Sequence, residues 1–166
     1  MAIVDALLHE FDQEMATTRK VLDRVPDDTL AWKPHPKSWS MGELASHVAN
    51  LIRWTDVTMD ATEMDMATVT PEQMNKVAAS RSELLSWFDA NAAAARQALV
   101  RSDAEYAVPW TLKSDTTAYF TLPRATCIRA YVMNHVIHHR AQLSVYLRLN
   151  DIPVPAIYGP SADEAM

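Results

Sequence analysis

Apolar positions recur at three- and four-residue spacing over most of the chain, and prolines punctuate them. Val4, Leu7, Leu8, Phe11, Met15, Thr18, Leu22 and Val25 form one stripe, which predicts a helix from about Ala2 to Arg24. Pro26 with Asp27 and Asp28 ends it, and Trp32 to Lys37, with prolines at 34 and 36, reads as an extended connection. Ser40 followed by Glu43 is a capping box that opens a second helix. Leu44, His47, Val48, Leu51 and Thr55 share one of its faces, and the pattern fades near Met59. Thr70, Pro71 and Gln73 supply the start of a third, whose stripe runs from Met74 through Leu84, Phe88 and Ala95 to about Val100. The fourth helix begins near Thr121 to Pro123 and runs to about Leu149, where Asn150, Asp151 and Pro153 stop it. The tail beyond is extended and is expected to lie against the helices through Ile157 and Tyr158.

Residues 101 to 120 are the least periodic. Tyr106 to Val108 and Thr117 to Tyr119 have strand character, but Pro109 interrupts them and the reading is loop. Only 2 glycines occur among 166 residues, far fewer than sheet-rich folds spend on tight turns. The expected architecture is therefore all-α: one domain spanning 1–166, built as a four-helix bundle.

Charge and composition narrow the function. Fifteen Lys and Arg against 21 Asp and Glu give a net charge of -6, with no basic stripe, which argues against nucleic acid as a partner. No run of about 18 apolar residues is present to span a membrane. The opening residues Met1 to Asp5 lack a signal-peptide pattern, and the one cysteine, Cys127, has no internal partner; the expected location is the cytoplasm.

The candidate chemistry lies in the histidines. With His135 at zero and about 100° per residue, Ile128, Val132, Leu143 and Tyr146 fall between roughly 20° and 80°. His139, at about 40°, lies inside that apolar arc, and His138 lies about 60° to the other side, toward the rim. His47 sits among Leu44, Val48 and Leu51 in the same manner. An imidazole in an apolar setting needs a partner. Two at i and i+4 stand one turn apart and can hold one ion, which a third histidine from a facing helix would complete. Three nitrogen ligands leave a coordination position open, as in catalytic sites, and suit zinc, nickel, copper or iron. The plainer alternative is that each ring hydrogen-bonds a carbonyl or a tyrosine in the core. A di-iron site does not fit, because Val132 and Val136 stand where its Glu-x-x-His motifs need glutamates. Nor does a Cys-His pair, since Cys127 is about 80° from His135.

Two blocks resemble a known family. Trp32-Lys-Pro-His-Pro-Lys-Ser-Trp39-Ser40-Met-Gly-Glu43-Leu44-Ala-Ser-His47 is similar to the second-helix signature of the DinB/YfiT-like superfamily. His135-Val-Ile-His138-His139-Arg140-Ala-Gln142-Leu143, followed by Leu147, Arg148, Pro153, Pro155, Tyr158 and Gly159, resembles its fourth-helix signature. The resemblance implies a four-helix bundle, often dimeric, with a long crossover between helices 2 and 3. It also implies a metal triad of His47, His135 and His139, with His138 outside it. One departure is Ala141, where members commonly have glycine. Arg140 is expected in a rim salt bridge, and Gln142 at the core edge, with orienting a ligand imidazole as an alternative role.

An open three-histidine metal lowers the pKa of a bound water or thiol. Characterised relatives include enzymes that use a small thiol such as bacillithiol, mycothiol or glutathione. The leading expectation is a metal-dependent S-transferase acting on a small-molecule substrate, with zinc or nickel as the metal, a low-molecular-weight thiol as co-substrate, and a homodimeric assembly. The alternatives are a metal-dependent hydrolase and a non-catalytic metal-binding or dimerisation bundle. Trp39, Trp54, Trp87, Trp110 and Tyr146 could line a pocket or fill the core, and Arg81 could meet an anion or snorkel to the surface. Met59, Met64, Met66 and Met74 gather around the crossover, as a dimer contact or a lid would require.

Overall fold

The structure is a computed structural model that describes residues 2–165, so the two end residues of the expected 1–166 domain lie outside the described residues. Helix α1 (Ile3–Asp23) follows the first stripe and buries Leu7, Phe11, Met15, Val21 and Leu22. Helix α2 (Met41–Leu51) starts at the predicted cap. Its first three amides all find acceptors. Met41 and Gly42 donate to the carbonyls of Trp32 and Leu30, both at 2.9 Å, and Glu43 donates to Ser40 Oγ at 3.1 Å. A Cβ at position 42 would lie 3.0 Å from the Leu30 carbonyl oxygen, so any larger residue would have to push the Leu30 backbone away by a few tenths of an ångström. After a break at Ile52 and Arg53, α3 (Trp54–Asp60) completes the second helical stretch.

The crossover holds a short strand, β1 (Glu63–Asp65), and one helical turn, α4 (Pro71–Met74). Helix α5 (Arg81–Ala98) follows, then α6 (Asp103–Tyr106) and a hairpin of β2 (Pro109–Ser114) and β3 (Thr117–Pro123). One continuous helical rod closes the chain: α7 (Arg124–Cys127), a π-helical stretch (Ile128–Met133) and α8 (Asn134–Leu149). Helices α1 and α2 each pack against both α5 and α8, around a single apolar core.

The expectation of an all-α four-helix bundle is wrong. The hairpin and β1 form a three-stranded mixed sheet in the order β1-β2-β3, with β1 parallel and β3 antiparallel to the central strand. Pro109, read as an interruption, is the first residue of its strand, where a missing amide costs no ladder bond. The turn uses Asp115 at a φ of 53 in place of glycine, which is why a glycine count missed it. Trp110 pairs with Leu122 and Leu112 with Phe120, putting the apolar side chains of both strands on one face.

Two further expectations change. The third helix is not continuous from Thr70 to Val100. Residues 75–80 leave the helix, and Ser80, accepting from the Glu83 amide, caps a new one. The Ala78 amide instead donates to Ser46 Oγ at 2.9 Å, a buried tertiary bond that replaces the helical one. Arg140 is no rim residue. It is 2% exposed and its Nη1 lies 2.7 Å from Glu14 Oε2 of α1. Nη2 donates to Tyr158 Oη at 2.8 Å, and that hydroxyl donates to Glu14 Oε1 at 2.8 Å. The tail is thus fastened by Tyr158 to α1 and α8, while Ile157 packs on the core.

Replacing Arg140 by Met should destabilise the fold by about 3–5 kcal/mol, because it strands the buried Glu14 carboxylate. The double variant Arg140→Met/Glu14→Met should recover most of that loss in urea denaturation. A single variant as stable as wild type would show the pair to be solvated.

Candidate metal centre

Helix α2 presents His47, and α8 presents His135 and His139 one turn apart. Because α2 packs against α8, the three rings converge. Their centroids are 5.3 Å apart for His47 and His135, and 4.7 Å for each of the other two pairs. One ligand atom from each lies within 4.8 Å of the others, close enough to share one ion. All three side chains are half-buried.

The electrostatics suit ligation. Burial, then the facing rings of His139 and His135, push the His47 pKa down to about 4. Burial also lowers His135 and His139; the Tyr131 backbone carbonyl opposes the shift in the first, and Gln142 opposes it in the second. The rings are therefore neutral near pH 7, with lone pairs available. His47 Nε2 is buried without a hydrogen-bond partner, so the plainer reading, a ring satisfied by a carbonyl or tyrosine, fails for this atom. Gln142 Oε1 lies 2.7 Å from His139 Nδ1. An amide oxygen can only accept, so this bond places the ring proton on Nδ1 and frees Nε2. The donor set, its spacing and the unpartnered nitrogen fit a divalent transition metal.

Around the triad, Trp39 lies against His47 and His139, with centroids 4.7 and 5.5 Å away. The Tyr146 hydroxyl holds the Trp39 carbonyl at 3.3 Å. His138 is exposed, 4.9 Å from the His139 ring. A cleft of about 530 Å³ opens beside His47 and His135. Trp54, Met64, Met66 and Met74 line it, whereas Met59, Trp110 and Arg81 do not. Met59 and Trp110 are core, and Arg81 caps the end of α1 by donating to the Asp23 carbonyl. Cys127 is buried and its thiol is pushed up by that burial, so it supplies no thiolate.

Sequence reasoning did not pick out Asn50, Arg53 and Lys76, which also line the cleft. Asn50 was legible, standing three residues from His47 on the same face. Lys76 was hidden inside a helix that does not form, and Arg53 in a helix that breaks beside it. The π-helical stretch just before α8 had no sequence signal. It places the Tyr131 carbonyl by His135, and such stretches recur at functional sites.

An α+β chain with a half-buried three-histidine group at the mouth of an apolar cleft defines a candidate metalloprotein. The family model of the DinB family matches residues 1–166, and the chain belongs to that family. It is 25% identical over 165 residues to the uncharacterized protein YrdA of Bacillus subtilis (strain 168), covering 97% of this chain and 91% of YrdA. A solved DinB-like protein from Bacillus cereus ATCC 10987 has the same fold, with a TM-score of 0.74 over 95% of this chain and 98% of that one, at 21% identity. Among the described residues, no helix is long and apolar enough to cross a membrane.

Metal-free protein should lose stability as pH falls from about 6.5 toward 4. The unfolded His47 takes up its proton near 6.5 and the folded ring only near 4, so between them the unfolded state binds more protons. Denaturant unfolding across that window should show a shallower slope for His47→Gln than for wild type. Equal slopes would mean that the ring is solvated in the folded protein.

Proposed function

We propose that this protein is a metal-dependent enzyme of the thiol S-transferase type, with His47, His135 and His139 holding a zinc or nickel ion. The observation that carries the reading is the buried, unpartnered Nε2 of His47, set among ring nitrogens within 4.8 Å of one another. A bound divalent metal supplies Lewis acidity that lowers the pKa of a coordinated thiol or water.

The chain's own residues do the rest. Gln142 holds the His139 tautomer with its proton on Nδ1, which would leave Nε2 to hold the ion. Trp39 covers one side of the His47 and His139 rings and limits water there. The cleft beside His47 and His135 has the size of a small-molecule site and an apolar lining able to seat an electrophile against the triad. Cys127 is buried and protonated, and this supports a thiol brought from outside.

Mass spectrometry of untagged protein should find about one equivalent of zinc or nickel, lost in His139→Ala. Gln142→Ala should keep the fold and weaken metal affinity by about 10- to 100-fold. With a panel of small thiols and an electrophile such as chlorodinitrobenzene, thioether formation should need both metal and thiol. Product formed from water alone would make the enzyme a hydrolase, and wild type that refuses added zinc and nickel would overturn the reading.

A further inference from the structure

Charged as well as apolar side chains line the cleft beside the triad. Its apolar lining comes from Leu51, Trp54 and Val57 on one side and from Met64, Met66 and Val69 of the crossover on the other. Methionines adapt their shape to what they cover, so this lining suits a hydrophobic body of variable outline. Two cations, Arg53 and Lys76, line the same space. Among the described residues neither makes an ion pair, although the chain has 21 acidic groups against 15 basic ones and pairs most of its arginines. Lys76 rests over the Trp87 ring, its Nζ 4.3 Å from the centroid, which positions its charge without neutralising it. One carboxylate, Glu72, lines the cleft, and hydrogen bonds from its own backbone amide and from Thr70 hold it below the usual range. It is therefore ionised and offsets one of the two positive charges.

A guanidinium at an apolar wall, with Asp56 near enough to feel its charge but no carboxylate at ion-pair distance among the described residues, keeps its donors free for a planar oxyanion that it can grip with two parallel bonds. We propose that the cleft takes a small organic carboxylate, its apolar body against Trp54 and the crossover methionines and its carboxylate on Arg53, with Lys76 adding to the field. This assigns the substrate class of the reaction centre proposed above and rests on that reading for its catalytic meaning. Arg53 is thereby a specificity residue rather than a catalytic one.

The probes are phenylbutyrate and the matching alcohol and amine, titrated calorimetrically into metal-free and zinc-loaded protein. In the metal-free protein the carboxylate should bind about tenfold more tightly than the alcohol, with the amine weakest. Arg53→Gln should cut that preference to about twofold or less while leaving the alcohol's affinity unchanged. Arg53→Lys should retain part of it. Arg53 is exposed, so these variants are expected to melt with wild type. Four outcomes would overturn the proposal: no binding of any probe, no preference for the carboxylate, a preference that survives Arg53→Gln, or one seen only with zinc loaded. In the last case the metal takes the carboxylate. Zinc content of the same preparations reads the other hypothesis separately: protein that takes up no metal but keeps an Arg53-dependent preference retains the anion site and loses the reaction centre.

Discussion

The contact between α2 and α8 is the constraint on which the rest depends, because the three imidazoles belong to these two helices. Each helix is also held by elements outside that contact. The first turn of α2 is fastened to the Leu30–Trp32 backbone through amides that the helix itself leaves unpaired, and Gly42 permits the close approach. Further along, Asn91 of α5 donates to the Ala49 carbonyl at 2.9 Å. Helix α8 is held by Arg140, next in sequence to His139. Successive helical residues diverge by about 100°, so one side chain reaches the Glu14 pair in the core while its neighbour faces the triad.

Burial then sets the chemistry of the rings. Placing three imidazoles within a few ångströms in a half-buried setting penalises their charged forms twice, by desolvation and by mutual repulsion. Neutral imidazole is the form a metal would need, so the surroundings hold the three rings in the state that ligation would require. That preparation has a cost in stability at low pH for the metal-free chain, offset when an ion binds the folded state alone.

The sheet belongs to the same design. Strand β1 lies in the crossover and pairs with β2, and the Asp115 amide at the hairpin turn donates to Asp65 Oδ1. At the other end of the crossover, Ala78 is tied to Ser46, the neighbour of His47. The segment that carries Met64, Met66 and Lys76 is therefore fixed at both ends and walls the cleft between them. Its middle buries little, with no buried residue from Ala61 to Val77, which leaves that wall the most readily displaced part of the site.

Much of this was written locally. Capping boxes at Ser40 and Thr70, the apolar stripes of α1 and α8, and the i, i+4 pair of His135 and His139 depend on neighbours within a turn, and a periodic pattern exposes them. The apolar face of the second helix marked His47 as the candidate third member, and the resemblance of two blocks to a known family implied the same triad. Other features depended on partners far along the chain. Arg140 is buried because Glu14 and Tyr158, 126 and 18 residues away, satisfy it. The Ala78 amide leaves its helix because Ser46, 32 residues off, offers a better acceptor. The hairpin is held because β1 pairs along the edge of β2 while Trp54 and Tyr131 pack against Trp110 and Phe120 of its apolar face, and no local signal outweighed its proline and its missing glycine. The caps at Ser40 and Thr70 and the spacing of His135 and His139 are short-range properties that the sequence determined by itself; the sheet, the broken third helix and the charged cleft are products of long-range pairing, which only the tertiary structure decided.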